Sequence, residues 1–393
     1  MSTLRGQRFV PSEWPLCLSR SASIIGCGFH LRAGGLRGRR SLFRGEQDMK
    51  AVVFHEHGGT EVLKYEDVPE PKPGPTDVII KVQAIGCNYN DVWARRGLAG
   101  MKFDLPHISG SDIAGEVAEV GSAVSTVKVG DRVIIHPGLS CRICAACTSG
   151  NEYFCRQFKI YGFQTGPLDG AYGEYARIPE VNVVPMPSNL NWEEGAAIGL
   201  VLLTAWHMLI GRAQLKPGED VLLWGASSGV GHVGIQVAKM SGARVIAVAG
   251  TDEKCAKAKA LGADECINYN TQDVVAEVKR ITGRKGVEVV FEHTGEGTWE
   301  RSIQTMAWGG RLVICGVTTG FEGKTDLRFL FQKQLSLLGS HQGNKAELLE
   351  GLKGVEAGKI KPVVDTVLPL RDAAKAHAMI ETGDHFGKIV LKP

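Results

Sequence analysis

The stretch Asp220–Thr251 reads DVLLWGASSGVGHVGIQVAKMSGARVIAVAGT and predicts a strand, a glycine-rich turn, a helix and a second strand. Val221–Trp224 is a short apolar run, as expected for a strand that is buried on both faces of a sheet. Gly229–Gly234 then matches G-x-G-x-x-G, and Arg244–Ala249 follows as the second strand. Glycines in such a turn let backbone N–H groups approach a pyrophosphate at the positive end of the helix. The order of these elements predicts a dinucleotide site rather than a purely structural turn.

The tip of the second strand indicates which dinucleotide binds. Sites that prefer NAD carry Asp or Glu about 20 residues after the glycine turn, whereas this strand ends in Ala249, Gly250 and Thr251. Thr251 and Lys254 follow at a place where they can hold a 2′-phosphate. The adjacent acids of segment 252–253 weaken this argument unless both face water. We therefore expect NADP(H) to be preferred over NAD(H), with NAD(H) as the alternative.

The first 48 residues differ in charge from the rest of the chain. They hold eight Arg and three acids, a net charge of +5, which leaves −2 of the chain's +3 for Met49 onward. A nearly neutral body indicates neither nucleic acid nor an anionic membrane as a partner. The segment resembles a mitochondrial transit peptide, but we favour a misread start codon because Met49–Phe54 opens a strand. We expect residues 1–48 to be disordered and the protein to be cytoplasmic, or in the mitochondrial matrix if the transit peptide is genuine.

The hydrophobic pattern changes once along the chain. Before Trp192, many short strands with Gly and Pro turns indicate a β-rich, barrel-like unit. After it, Glu193–Ile210 is predicted as one buried helix, and strands then alternate with helices up to Gly339. This alternation predicts a parallel, doubly wound sheet. The pattern of residues 341–393 predicts two helices followed by a strand, and we expect this segment to return to the first unit.

Four of the ten cysteines form a cluster: Cys141, Cys144, Cys147 and Cys155. Four thiolates in one short loop fit a closed tetrahedral zinc site, which leaves no open position for chemistry. Incidental cysteines or redox-active pairs are the alternatives, and the regular spacing argues against both. Without a secretory signal, a reducing compartment is expected, and disulfides are not.

These features together resemble the medium-chain dehydrogenase/reductase superfamily, which includes zinc alcohol dehydrogenases and quinone oxidoreductases. The segments that carry the resemblance are Gly110–Gly115, Val129–Val133, the four-cysteine loop, the glycine turn and Phe386–Leu391. The resemblance implies an α/β fold with a Rossmann doubly wound parallel sheet plus a GroES-like β-barrel domain. The expected divisions are 1–48 as an extension, 49–197 as the GroES-like catalytic domain, 198–340 as the Rossmann domain and 341–393 as a return to the catalytic domain.

The departures from the alcohol dehydrogenase pattern concern the catalytic zinc. The family's Gly-His-Glu position reads Gly110–Asp112 and lacks the imidazole, while the first ligand position falls on Asn88 and the third near Leu200. Cys87 is one residue away from the first position and is expected to face the other side. A catalytic zinc needs three protein ligands, so we expect none here. In this respect the chain resembles the zinc-free quinone oxidoreductase branch, which usually lacks the four-cysteine loop.

The leading hypothesis is a reductase that passes hydride from NADPH to a quinone or an α,β-unsaturated carbonyl. Without a metal, the acceptor oxygen needs hydrogen-bond donors, and the resemblance implies Asn88, Tyr89 and Thr204 near the nicotinamide. The expected cofactor contacts are the phosphate turn, the adenosine ribose site and a C-terminal lysine: Ser228, Gly229, Val230, Gly231, Gly234, Thr251, Lys254, Tyr269 and Lys388.

Two other functions stay open at this point. One is a zinc-dependent alcohol dehydrogenase with non-standard ligands, for example Cys87, Asp112 and His136. The other is a nucleotide-responsive binding protein without enzymatic activity. The resemblance also implies a homodimer or homotetramer.

Overall fold

The computed structural model describes residues 47–393. The predicted extension lies outside this range except for its last two residues, and Asp48 already belongs to the first strand. In chain order, the strands of the described part are β1 Asp48–Phe54, β2 Lys64–Pro69, β3 Asp77–Gly86, β4 His107–Ile108, β5 Asp112–Val120, β6 Arg132–Ile135, β7 Gly138–Leu139, β8 Lys159–Ile160, β9 Tyr175–Pro179, β10 Val183–Pro185, β11 Asp220–Leu223, β12 Arg244–Ala249, β13 Glu265–Asn268, β14 Val287–Glu292, β15 Met306–Ile314, β16 Ser336–Gly339, β17 Val364–Pro369 and β18 Lys388–Lys392.

The α-helices of the same part alternate with the strands in the second half of the chain. They are α1 Tyr89–Arg96, α2 Ala145–Thr148, α3 Trp192–Ala196, α4 Gly199–Trp206, α5 Gly229–Met240, α6 Asp252–Ala260, α7 Val274–Ile281, α8 Trp299–Thr305, α9 Leu327–Gln332, α10 Lys345–Glu356 and α11 Ala373–Thr382. No helix of residues 47–393 combines the length and apolar character needed to cross a membrane.

The nucleotide half is a six-stranded sheet with the order β13-β12-β11-β14-β15-β16. All of its strand pairs are parallel. Its two faces carry separate apolar cores, one with Val221 and Leu223 and the other with Leu222 and Trp224. Such an order reverses between β11 and β14, and ligands bind beyond the carboxyl ends of the strands at this point. The predicted doubly wound sheet is confirmed.

The barrel half is a mostly antiparallel sheet with the order β10-β6-β5-β3-β18-β17, with β9 also paired to β3. Residues Val390 and Leu391 of β18 pair with Gly86 and Ile85, so the end of the chain completes the barrel. Strand β17, which runs parallel to β18, was not predicted. Its alternating half-buried and exposed residues give a weaker apolar signal than a strand buried on both faces.

The predicted single helix 193–210 is divided in the structure. Helix α3 ends at Ala196, α4 runs from Gly199 to Trp206, and a π-helical turn covers His207–Arg212. The apolar pattern does not reveal the break, because both helices are buried. The N–H of Leu200 in the first turn of α4 donates to Oδ1 of Asp112 at 2.7 Å. A carboxylate from the barrel therefore caps the second helix.

The glycine turn is packed tightly around its own backbone. Ser228 caps α5, and its hydroxyl accepts a hydrogen bond from the N–H of Gly231 at 2.9 Å. A Cβ on Gly231 would lie 2.1 Å from the carbonyl oxygen of Gly225. Backbone cannot move aside as a flexible side chain can, so the turn excludes every larger residue at this position.

We therefore expect Gly231→Ala to lower the thermal midpoint of unfolding by about 2–6 °C and to weaken dinucleotide binding. Gly339→Ala is the matched control, because a Cβ there meets nothing within 4 Å and its midpoint should change by less than about 1 °C. Differential scanning calorimetry of both variants tests this, and equal midpoints would contradict it.

Candidate active site

A cleft of about 1070 Å³ runs along the glycine turn and the start of α1. Its walls include residues of α4, the carboxyl ends of β12 and β15, and the beginning of β18. This is where a doubly wound sheet binds ligands. Of the predicted residues, those that line the cleft are Asn88, Tyr89, Thr204, Ser228, Gly229, Val230, Thr251, Lys254, Tyr269 and Lys388.

The glycine turn offers two free donors to this cleft. The N–H groups of Gly229 and Val230 stand in the first turn of α5, where no preceding helical carbonyl can pair with them. Gly231 and Gly234 do not line the cleft. Gly231 closes the turn, and a Cβ on Gly234 would lie 3.0 Å from Leu223, so this residue serves the packing of helix on strand.

His293 supports the turn from the neighbouring strand, a role that the sequence did not reveal. Its Nε2 lies 2.9 Å from the carbonyl oxygen of Trp224 and 3.3 Å from the hydroxyl of Ser228. Burial lowers the pKa of His293, which favours the neutral imidazole. No motif spacing connects residue 293 to the turn, because the parallel pairing of β11 with β14 brings the two together.

The tip of β12 carries no carboxylate into the cleft. Asp252 accepts a hydrogen bond from Nδ2 of Asn268 at 2.7 Å, and Glu253 pairs with Lys257 at 2.8 Å. Neither acid lines the cleft, whereas Lys254 does. The ammonium of Lys254 donates to the carbonyl oxygen of Gly383 at 2.7 Å.

A buried cluster forms around Asp112, and its members Asn88 and Lys388 line the cleft. The Oδ2 of Asp112 accepts from Nδ2 of Asn88 at 2.9 Å and from Nζ of Lys388 at 3.3 Å. Lys388 also donates to Oδ1 of Asn88 at 2.6 Å, and the second N–H of the Asn88 amide goes to the carbonyl oxygen of Gly86 at 3.1 Å. All three side chains are at most 7% exposed. An ammonium therefore balances this buried carboxylate.

Asp91 holds the loop that precedes α1. Its carboxylate accepts from the N–H of Asn88 at 2.8 Å, the N–H of Gly110 at 3.1 Å and the hydroxyl of Tyr172 at 3.1 Å. Burial raises the pKa of Asp91 to about 7 despite these donors. The hydroxyl of Tyr172 continues to His377 of α11 at 3.2 Å. Asp91 is thus a loop-fixing residue that does not line the cleft.

The three predicted donors differ in whether their polar hydrogens are already engaged in hydrogen bonds. Both N–H bonds of the Asn88 amide are engaged, as described above. The hydroxyl of Thr204 donates to the carbonyl oxygen of Leu200 at 2.8 Å. The hydroxyl of Tyr89 has no hydrogen-bond partner among residues 47–393, and its ring stands edge-on to Trp93 at 5.2 Å. Tyr89 is therefore the predicted residue with an unengaged donor.

The non-standard ligand set Cys87, Asp112 and His136 is not assembled. Within the described chain, the four clustered cysteines form the one group of His, Cys, Asp or Glu side chains close enough to hold a metal ion. Cys87 does line the cleft, contrary to the prediction that it faces the other side. Strand β3 ends at Gly86, so strand alternation no longer governs Cys87. Burial raises the pKa of its thiol to about 12.

The four-cysteine loop has the dimensions of a tetrahedral thiolate site. The sulfur atoms lie 3.5 Å apart for Cys144 and Cys147, 3.6 Å for Cys141 and Cys155, and 3.9 Å for Cys141 and Cys147. Zinc–sulfur bonds of about 2.3 Å place tetrahedral sulfurs about 3.8 Å apart. Backbone N–H groups of segment 143–144 lower the pKa of Cys141 to about 6, whereas, against the N–H of Cys147, hydrogen bonds with the sulfurs of Cys141 and Cys147 raise the pKa of Cys144 to about 11. These residues fit a closed zinc site.

Known proteins resemble this chain along most of its length. Residues 74–188 match the family model of the alcohol dehydrogenase GroES-like domain, and residues 229–356 match that of the zinc-binding dehydrogenase. The quinone oxidoreductase of Rattus norvegicus is 32% identical over 355 residues, which are 88% of this chain and 98% of that protein.

Two solved structures extend the comparison. One, an NAD-dependent alcohol dehydrogenase, is 46% identical with a TM-score of 0.85 and covers 88% of this chain and 100% of its own. The other, the crotonyl-CoA carboxylase/reductase AntE in complex with NADP, is 27% identical with a TM-score of 0.80 and covers 88% and 94%. The chain belongs to the medium-chain dehydrogenase/reductase superfamily and is an NAD(P)-dependent oxidoreductase with a Rossmann and a GroES-like unit.

Proposed function

We propose that this protein transfers hydride from NADPH to a quinone or an α,β-unsaturated carbonyl, without a catalytic zinc and with one structural zinc. The observation that carries the proposal is the buried cluster of Asp112, Asn88 and Lys388. Asn88 stands at the position of the first zinc ligand of zinc alcohol dehydrogenases, and Asp112 directly follows Ser111, which replaces the histidine ligand. Because Lys388 already neutralises this carboxylate, the donor set favours metal-free chemistry.

The cofactor preference rests on charge at the end of β12. A 2′-phosphate carries negative charge, so a nearby carboxylate would repel it and an ammonium would attract it. The cleft there is lined by Thr251 and Lys254, while Asp252 and Glu253 are held by partners outside the cleft. The 27% identical relative crystallised with NADP agrees with this preference, whereas the 46% identical alcohol dehydrogenase is described as NAD-dependent.

The bound nicotinamide supplies the hydride, and the protein positions the acceptor. Leu200 and Thr204 of α4 and Trp93 of α1 form walls of the cleft. Charge develops on the acceptor oxygen as hydride arrives, and a preorganised donor stabilises it. The hydroxyl of Tyr89 supplies this donor, while Asn88 and Lys388 hold the loop from which Tyr89 projects.

The domain division 49–197, 198–340 and 341–393 belongs to the same proposal. Pairing of β18 with β3 supports the return of the chain end to the barrel half. A homodimer or homotetramer and a cytoplasmic location complete it.

An alcohol dehydrogenase is the second candidate, favoured by the 46% identical NAD-dependent alcohol dehydrogenase; the form that the sequence left open is zinc-dependent with non-standard ligands. Metal content and substrate range separate the two functions. The deciding experiment follows loss of NADPH and NADH absorbance with a panel of quinones, enones and simple aldehydes, on protein whose zinc content has been measured. Reduction of quinones or enones with about one zinc per chain supports the proposal; aldehyde reduction alone, with two zincs per chain, contradicts it.

Replacing Lys254 tests the cofactor preference. Lys254→Ala removes the cation near the ribose, so we expect the Kd for NADPH to rise about 5- to 10-fold and the Kd for NADH to stay within about 2-fold. Lys257→Ala is the control, because Lys257 pairs with Glu253 outside the cleft. Fluorescence titration of both cofactors measures this. An equal loss for NADPH and NADH would show that Lys254 does not contact the 2′-phosphate.

Replacing Tyr89 tests the unengaged donor. Tyr89→Phe removes only the hydroxyl, so kcat/KM for the best quinone should fall by about 100-fold with the Kd for NADPH unchanged. Thr204→Val should change kcat/KM by less than about 5-fold, because the proton of its hydroxyl is already bonded to Leu200. Tyr175→Phe, outside the cleft, is the control. A larger effect at Thr204 than at Tyr89 would reverse the assignment.

The four-cysteine loop can be tested by measuring the zinc content of the protein. Purified protein should contain about one zinc per chain by atomic emission, and Cys144→Ser should lose it and lower the thermal midpoint by about 5–10 °C. Cys266→Ser, away from the four-cysteine loop, should keep the metal. Retention of stoichiometric zinc by Cys144→Ser would refute a four-thiolate site.

A further inference from the structure

Gln342 is a buried amide in the cleft with nothing to bond to among the described residues. Its side chain is 5% exposed, and neither Nε2 nor Oε1 has a hydrogen-bond partner within residues 47–393. Gln236, which is buried to the same degree at 6%, is fully paired with the backbone of Lys361 at 2.9 and 2.8 Å. A buried polar group without a partner is destabilising, and Gln342 has two such atoms on a residue that lines the cleft.

The backbone around Gln342 is held in place from both sides. Before it, the N–H of Ser340 donates to the carbonyl oxygen of Ile314 at 2.8 Å. After it, Gly343 packs so closely on α4 that a Cβ would lie 2.8 Å from Leu203. Asn344 then caps α10 through Glu347, with N–H to oxygen distances of 2.8 and 2.9 Å in both directions. The amide is therefore presented by a rigid frame beyond the carboxyl end of β16.

The cleft that Gln342 lines also has a set of apolar side chains. They come from α1, the loop after it and the segment at and after β8: Trp93, Leu98, Met101, Ile160 and Phe163. An apolar pocket with a few polar groups is the usual form of a small-molecule site, in which the polar groups fix orientation and specificity. A glutamine amide presents one donor and one acceptor side by side.

We propose that Gln342 determines acceptor specificity by pairing with substrates that carry an N–H or O–H donor beside the reacting carbonyl. The Nε2 of Gln342 donates to the carbonyl oxygen, and its Oε1 accepts from the adjacent donor. A plain quinone or enone satisfies the first of these bonds and leaves the second atom unpaired, which selects against it. This inference rests on the proposed reductase function and narrows its substrate class.

A matched pair of acceptors tests the proposal: 2-amino-1,4-naphthoquinone, which has the donor, and 2-methyl-1,4-naphthoquinone, which has a methyl group of similar size. For Gln342→Leu we expect kcat/KM to fall about 10-fold or more further for the amino compound than for the methyl compound. The ratio of kcat/KM for the amino compound to kcat/KM for the methyl compound is compared between the variant and the wild-type enzyme. This comparison cancels the different intrinsic reactivities of the two quinones. Gln304→Leu, an exposed glutamine of α8, is the control and should leave the ratio unchanged.

A second readout separates specificity from a structural role. Because Gln342→Leu removes an unpaired buried polar group, its thermal midpoint should rise by about 1–2 °C. Gln342→Met, which keeps the length of the side chain, serves as a second variant in case leucine disturbs the packing. It should show the same change in the ratio of kcat/KM values and the same rise in the thermal midpoint. A lower midpoint with equal losses for the two quinones in both variants would overturn the proposal.

Binding measured by calorimetry distinguishes failure of this inference from failure of the reductase function. If the wild-type protein reduces neither quinone but binds the amino compound more tightly, and Gln342→Leu abolishes this difference, Gln342 has the proposed role and the reductase function is wrong. If both quinones are reduced and the variants do not change their ratio, the reductase function stands and the inference about Gln342 is wrong.

Discussion

The carboxylate of Asp112 is the interaction on which the arrangement of the cleft depends. It receives the backbone N–H of Leu200, the amide of Asn88 and the ammonium of Lys388, and it is 1% exposed. These donors come from three segments that are far apart in sequence, so one buried charge fixes α4, the start of α1 and β18 against β5. Close approach requires small residues: a Cβ on Gly199 would lie 2.8 Å from Oδ1 of Asp112. Loss of any donor would leave a buried charge partly uncompensated, which is strongly unfavourable.

This cluster also bears on the chemistry that we propose for the cleft. A divalent metal at the same place would compete with the ammonium of Lys388 for Asp112, and Lys388, which is 2% exposed, would then be buried without its carboxylate. The geometry therefore favours a substrate whose charge is met by neutral hydrogen-bond donors. The hydroxyl of Tyr89 and the amide of Gln342 are two such donors on the cleft that lack a partner within residues 47–393, and we propose that they contact the substrate.

The sequence predicted those parts of the structure that depend on local pattern. Strand β12 has the predicted limits, because a run of β-branched and small apolar residues between a Gly-Ala turn and a glycine is unambiguous. The cysteine spacing likewise indicated that four sulfur atoms of one loop lie close together, as they do in the structure. Lys388 was predicted at the cofactor phosphates, and nothing local could reveal its bonds to Asn88 and Asp112, which lie about 300 residues away in the chain. The unpaired state of Gln342 depends on what surrounds it, which only the tertiary structure provides.

The four-cysteine loop and the cleft are linked through packing rather than through shared chemistry. The carbonyl oxygen of Gly150 accepts a hydrogen bond from Nδ2 of Asn344 at 2.6 Å, and the ring of Tyr153 packs on His207 at 4.8 Å. His207 in turn contacts the carboxylate of Glu347 at 2.9 Å. The loop thereby holds the start of α10 against the end of α4, and Gln342 lies two residues before Asn344. The proposed zinc site in this loop and the proposed metal-free cleft are compatible, because the loop fixes the frame that carries Gln342.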